Sequence, residues 1–256
     1  IAEGDSTSAD LSVSSFGGTI TDAAGGAAGA ASGDLGTVTV DGDAPDLASV
    51  ADSGDATLGV GETHTITVTW DEAVVTADGA LTLNNGASAV YTSGTTTAAI
   101  VFTYTVAEGD NTATDLSVTG YTGTIADAAG GAAAATGTVD LGTVTVDGAV
   151  PVFSSVAATD SAYGVGEVIS ITVTWGEAVV TANGALTLSN GDTAAYSSGT
   201  GSTSLVFTTT VAEGDSTSSD LSVTAFTGTI TDAAGGAAGA ASGDLGAVSV
   251  DGDAPD

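Results

Sequence analysis

The chain has 256 residues, 32 of them Asp or Glu, and no Lys, Arg, Cys or Met, so its formal net charge is −32. A chain with no basic side chain has nothing to hold phosphates, which excludes a nucleic-acid partner and argues against an anionic membrane surface. The missing cysteine excludes disulfides and thiolate metal sites. Hydrophobic residues make up 42 % and mean hydropathy is +0.35, too apolar for an acidic disordered tail.

In chain order, the first element is a turn, Ala2-Glu3-Gly4-Asp5, which returns as Ala107–Asp110 and Ala212–Asp215. Next comes Asp22-Ala23-Ala24-Gly25-Gly26, which returns at Asp127 and Asp232, a spacing of 105 residues. A hinge, Val40-Asp41-Gly42-Asp43-Ala44-Pro45-Asp46, closes this pattern; it recurs in full as Val250–Asp256 and in weaker form as Val146–Pro151. Residues 1–46 are therefore the C-terminal half of a repeat, and 47–151 and 152–256 are complete repeats. Such a period is too long for a solenoid and fits a string of small domains. Residues 1–46 alone are expected to leave a sheet edge and core open. Either they are a slice of a longer repetitive chain, or a neighbouring chain completes them by strand donation.

Inside the first full repeat the apolar period is 2. His64, Ile66, Val68 and Trp70 share one phase, and Thr63, Thr65, Thr67 and Thr69 the other, which predicts a strand with one buried face. Ala80-Leu81-Thr82-Leu83 runs into Asn84-Asn85-Gly86, a hairpin turn, followed by Ala89-Val90-Tyr91. Ile100, Phe102, Tyr104 and Val106 define a further strand, and Leu116–Val118 and Thr143–Val146 two more. The Ala/Gly-rich stretch at 127–136 reads as loop, because its glycines oppose a helix. The expectation is an all-β chain of antiparallel sandwiches, each of about seven strands.

Up-and-down alternation then places the acids. Glu72 and Asp127 fall at the top of the first full repeat, and Glu177 and Asp232 at the top of the second. Glu3 and Asp5, or Glu108 and Asp110, fall at the bottom of the unit before. The hinge between carries Asp41, Asp43 and Asp46, or Asp147 alone. Several carboxylates thus converge at each joint, with no Lys or Arg to balance them. Clustered hard oxygen ligands suit Ca²⁺, which takes six to eight oxygens in flexible geometry, better than Mg²⁺. The second joint has Ala149-Val150 where the first has Asp43-Ala44, so a weaker or differently built site is expected there. No EF-hand loop is present.

Other candidates carry less. His64, the only histidine, stands where the next repeat has Ile169, and is expected to be a core-edge residue. Trp70 and Trp175 are expected to pack the core beneath the top loops. Asp71 and Glu72 lie on opposite strand phases with no aromatic sugar platform near them, and a Ser-His-Asp arrangement would depend on His64, which the second repeat lacks. No residue pattern points to an enzyme.

The runs Gly61-Glu62-Thr63 to Thr69-Trp70-Asp71-Glu72-Ala73-Val74, Leu81 to Gly86, Phe102 to Val106 and Ile125 to Gly130 resemble the bacterial immunoglobulin-like repeats of very large secreted and surface proteins, including calcium-dependent adhesins and surface-layer-like proteins. The resemblance covers both full repeats and, through Asp22–Gly25, the half repeat. It implies tandem immunoglobulin-like antiparallel β-sandwiches in a linear, extracellular rod whose joints are stiffened by Ca²⁺ and whose partners are neighbouring repeats or copies of the same protein. The chain departs from such repeats in having Gly26, Gly131 and Gly236 where Asn is common. Two alternatives stand beside this one: a halophile-type surface protein whose acids serve solubility, and a filament subunit completed by strand donation.

Overall fold

The computed structural model describes residues 1–7, 9–30, 32–112, 114–217 and 220–253; the Ala-Pro-Asp of the last hinge copy lies outside the described residues. No helix occurs among them, and the regular structure is entirely β. Residues 1–46 hold one short antiparallel pair, β1 (Ser12–Val13) and β2 (Gly33–Asp34). The next unit holds β3 (Leu47–Asp52), β4 (Ala56–Gly59), β5 (Thr63–Val74), β6 (Ala80–Leu83), β7 (Ser88–Ser93), β8 (Thr97–Thr105), β9 (Ser117–Thr122), β10 (Val139–Asp140) and β11 (Val144–Asp147). The last unit repeats the set: β12 (Phe153–Ala157), β13 (Ser161–Gly164), β14 (Val168–Val179), β15 (Ala185–Leu188), β16 (Thr193–Ser198), β17 (Ser202–Thr210), β18 (Ser222–Thr227), β19 (Gly243–Asp244) and β20 (Val248–Asp251).

Each full unit is a sandwich-like body made of a seven-stranded and a two-stranded sheet. In the first the seven strands run β10-β9-β6-β7-β8-β5-β3, and β11 pairs with β4; in the last the order is β12-β14-β17-β16-β15-β18-β19, and β20 pairs with β13. The alternating pattern produces these strands as expected: along β5 the threonines face outward while His64, Ile66, Val68, Trp70 and Val74 are buried, and β14 repeats that burial residue for residue. Each buried Ile or Val of this face contributes roughly 1.5–3 kcal/mol of transfer free energy. Trp70, Phe102 and Leu81 anchor one core and Trp175, Phe207 and Leu186 the other.

Two expectations need correction. Each unit has nine strands rather than about seven, since β4 and β10 are too short to show alternation. The pairing is also not wholly antiparallel: β4 and β11 run parallel, from Ala56 opposite Val144 to Gly59 opposite Asp147, and β13 and β20 do the same. Both β3 and β4 run away from the hinge, so the extra strand does not reverse the up-and-down count.

In residues 1–46 the side chains Leu11, Val13, Ile20 and Val38 are exposed. Their copies Leu116, Val118, Ile125 and Val144, and again Leu221, Val223, Ile230 and Val248, are buried.

Candidate metal centre

Two groups of three carboxylates stand at the joints. Asp41, Glu72 and Asp127 each offer an oxygen within 4.8 Å of the others, and so do Asp147, Glu177 and Asp232. Each triad takes its first member from the hinge and the other two from the unit that follows.

The glutamate comes from an interrupted strand end. The β5–β8 ladder runs regularly to Thr69 opposite Ala99 and resumes only at Val74 opposite Thr97, so residues 70–73 bulge out of it. The β14–β17 ladder breaks identically between Thr174 and Val179. Glu72 keeps the inward phase of its strand, between buried Trp70 and buried Val74, and is half-buried. The hinge is sewn to the same strand end, because the Asp46 N–H donates to Asp71 Oδ1 at 2.9 Å and the Asp71 N–H donates to the Asp46 carbonyl at 3.0 Å.

The second aspartate comes from the Asp-Ala-Ala-Gly-Gly loop. Asp127 Oδ1 accepts the N–H groups of Gly130 and Gly131 at 2.6 and 2.9 Å. Asp232 Oδ1 accepts those of Ala234 and Gly236, both at 2.8 Å. The exposed copy at Asp22 makes the same bonds to Ala24 and Gly26 at 2.9 and 2.8 Å, so the loop is locally encoded. What differs at the joints is burial. Asp127 is 6 % and Asp232 4 % exposed. Among the described residues, Oδ2 of each is buried with no hydrogen-bond partner in the protein. Glycine at 131 and 236 has a steric cause: a Cβ at either would strike that Oδ2 atom. An Asn side chain there would displace the carboxylate it is supposed to assist.

Burial, followed by the charges of Asp41, Asp127, Asp71 and Asp43, pushes the Glu72 carboxyl above its ordinary 4.5. Burial, with Asp147 and Asp232, does the same to Glu177. Two full negative charges about 5 Å apart repel by roughly 3 kcal/mol at the effective permittivity of a protein surface. A cation held among the three carboxylates would relieve that repulsion. Three converging carboxylates with one buried, unpaired oxygen form a donor set for a hard divalent ion.

The remaining predicted site residues lie outside the triads. Asp5 accepts the Ala2 N–H at 2.8 Å, closing its own turn. Asp110 accepts the Ala107 N–H at 3.0 Å and the Tyr104 hydroxyl at 2.9 Å. Burial and that bond push the Tyr104 hydroxyl up to about 12. Glu108 is exposed. Asp46 is exposed, its N–H and carbonyl engaged with Asp71. Asp43 is exposed, its Oδ2 accepting the Ser6 hydroxyl at 3.4 Å. Glu3, Asp41 and Asp43 border one cleft of about 290 Å³ with Gly130 and Gly131. At the second joint, where a weaker or differently built site is expected, the same Asp–Glu–Asp core stands with Ala149-Val150 in place of Asp43-Ala44 beside it.

His64 is only 2 % exposed and has partners the sequence did not announce. Its Nε2 lies 2.8 Å from Asp52 Oδ2 and its Nδ1 2.9 Å from Ser53 Oγ. Among the described residues this is the one His–carboxylate contact at ion-pair distance. Both ring nitrogens are committed to the end of β3, which makes this a clasp between β3 and β5.

Comparison with known protein families finds no family model that matches the chain, and comparison with curated proteins finds no match.

Proposed function

We propose that this chain is a structural segment of an extracellular fibre or adhesin of bacterial type, built of tandem immunoglobulin-like sandwiches in a linear rod, with Ca²⁺ bound at its joints. One observation carries the proposal: each triad draws Asp41 or Asp147 from the hinge and Glu72 with Asp127, or Glu177 with Asp232, from the following unit. An ion held by all three fastens the hinge to that unit. Asp41, Glu72 and Asp127 hold one ion, and Asp147, Glu177 and Asp232 the other. Ca²⁺ fits better than Mg²⁺, because the set is three carboxylates at a flexible joint and Mg²⁺ demands near-ideal octahedral geometry. The role is mechanical and electrostatic. The bound ion removes the mutual repulsion of the triad and stiffens the joint, and neighbouring repeats or further copies are the partners.

A second reading keeps the acids as solubilising charge for brine, without specific ion sites. It is favoured by exposed acids that join no cluster, such as Asp34 and Asp140, in a chain with no Lys or Arg. Thermal unfolding in EDTA and in CaCl₂ at one ionic strength separates the two. At that fixed ionic strength specific sites raise the melting temperature in CaCl₂ over EDTA, through a stabilisation on the order of 3 kcal/mol per site at a hundred times Kd. A melting temperature that depends on ionic strength alone supports the second reading.

A further inference from the structure

At the second joint the two units touch through a glycine. Gly59 closes β4 beside Asp147, its parallel partner on β11, and the Ala234 carbonyl of the Asp232–Gly236 loop rests where a Gly59 Cβ would be. Ala234 is buried by this contact, whereas its copies Ala129 and Ala24 are exposed. Gly59 does not have the left-handed backbone that favours glycine, so the docked loop is what demands the missing side chain.

The last unit has the same socket. Gly164 closes β13 beside Asp251, its parallel partner on β20, as Gly59 stands beside Asp147. The local posture is also the same: Asp251 Oδ1 accepts the Asp253 N–H at 3.1 Å, as Asp147 Oδ1 accepts the Ala149 N–H at 3.2 Å. Gly164 too has no left-handed backbone, and the nearest atom to its Cβ position is the Asp251 carbonyl oxygen at 4.0 Å. Neither its backbone nor a neighbour among the described residues requires glycine there. Around it lies an open concavity of about 420 Å³ bordered by Tyr163, Val165, Asp251 and Asp253, with Val165 exposed.

We infer that the face around Gly164 and Asp251 is a docking surface for a second copy of this chain, which seats its exposed Asp22–Gly26 loop there, head to tail. That loop already has the internal clasp of the docked one, and Ala24 stands exposed where Ala234 is buried. Docking brings Asp22 to Asp251 as the second joint brings Asp232 to Asp147. Two chains of charge −32 each repel, so the contact calls for a divalent ion between these carboxylates, a requirement that rests on the cation sites proposed above. A heterologous contact of this kind does not close on itself and builds open chains.

Sedimentation velocity of the full chain in CaCl₂ tests it. The expected result is a sedimentation coefficient that rises with protein concentration in CaCl₂ and stays monomeric in EDTA. Gly164→Val and Ala24→Leu alter opposite ends at open positions, so each should fold and stay monomeric. Mixed together they should give dimers and nothing larger, because each retains one sound end. Association that persists in Gly164→Val overturns the inference, and so does a wild-type chain that saturates with Ca²⁺ yet stays monomeric; the second result leaves the cation sites standing. If Ca²⁺ binding itself fails, the same comparison in 1 M NaCl, where the screening length falls to about 3 Å, still decides: loss of association in Gly164→Val supports the docking and its persistence overturns it.

Discussion

A carboxylate on the inward phase of a strand costs stability unless something answers its charge. Glu72 and Glu177 both occupy that phase, one step beyond a buried tryptophan. Their carboxyls sit above the ordinary 4.5, so the folded chain binds protons more tightly than the unfolded one. The sign of the pH dependence follows. Without divalent ions, the contribution of these two carboxyls to stability is fully present below about 4.5 and is lost as pH rises through their raised values. With Ca²⁺ present the slope reverses, because the ion binds only the ionised triad. Thermal melts across pH in chelator and in CaCl₂ check both signs. The clasp at His64 makes a separate prediction. Asp52→Ala leaves a buried imidazole nitrogen unpaired and should cost about 1–2 kcal/mol. Adding His64→Ile should recover most of that loss, since the last unit has Ile169 and Ala158 in the matching places, and denaturant melts of the single and double variants measure it.

Among the elements, the Asp-Ala-Ala-Gly-Gly loop carries the most. It folds alike in its exposed and its buried copies, so its shape is local and only its burial comes from the joint. Gly131→Ala would force Asp127 Oδ2 out of position. It should weaken cation binding at the first joint at least tenfold and leave the second unchanged, as read by a titration that resolves the two sites. The strands that define the units were legible because threonine alternates with apolar residues along Thr63–Trp70 and Val168–Trp175. Direction then followed from counting, and it brought Glu72 to Asp127 and Glu177 to Asp232 correctly. The parallel pairs stayed hidden. Nothing in Ala56–Gly59 announces a partner as distant as Val144–Asp147, and four residues are too few to show a period. The His64 clasp stayed hidden for a related reason, because it depends on how β3 registers against β5. Asp5 and Asp110, assigned to the ion from their position alone, lie outside the two triads and each accepts an N–H of its own turn.

On the scale of the whole chain, 32 carboxylates face one histidine, and the charge is not spread evenly. Six of the acids are drawn into two triads at the joints, with a buried oxygen in each that no group among the described residues satisfies. Generic solubility does not require that arrangement, whereas a cation site does. The most direct test is a Ca²⁺ titration by calorimetry at fixed ionic strength, on the full chain and on Asp127→Asn, Asp232→Asn and the double variant. The expected result is two saturable triad sites per chain in the wild type, one in each single variant and neither in the double. Heat that never saturates, or a binding stoichiometry unchanged in the double variant, would contradict the assignment of the ions to these triads.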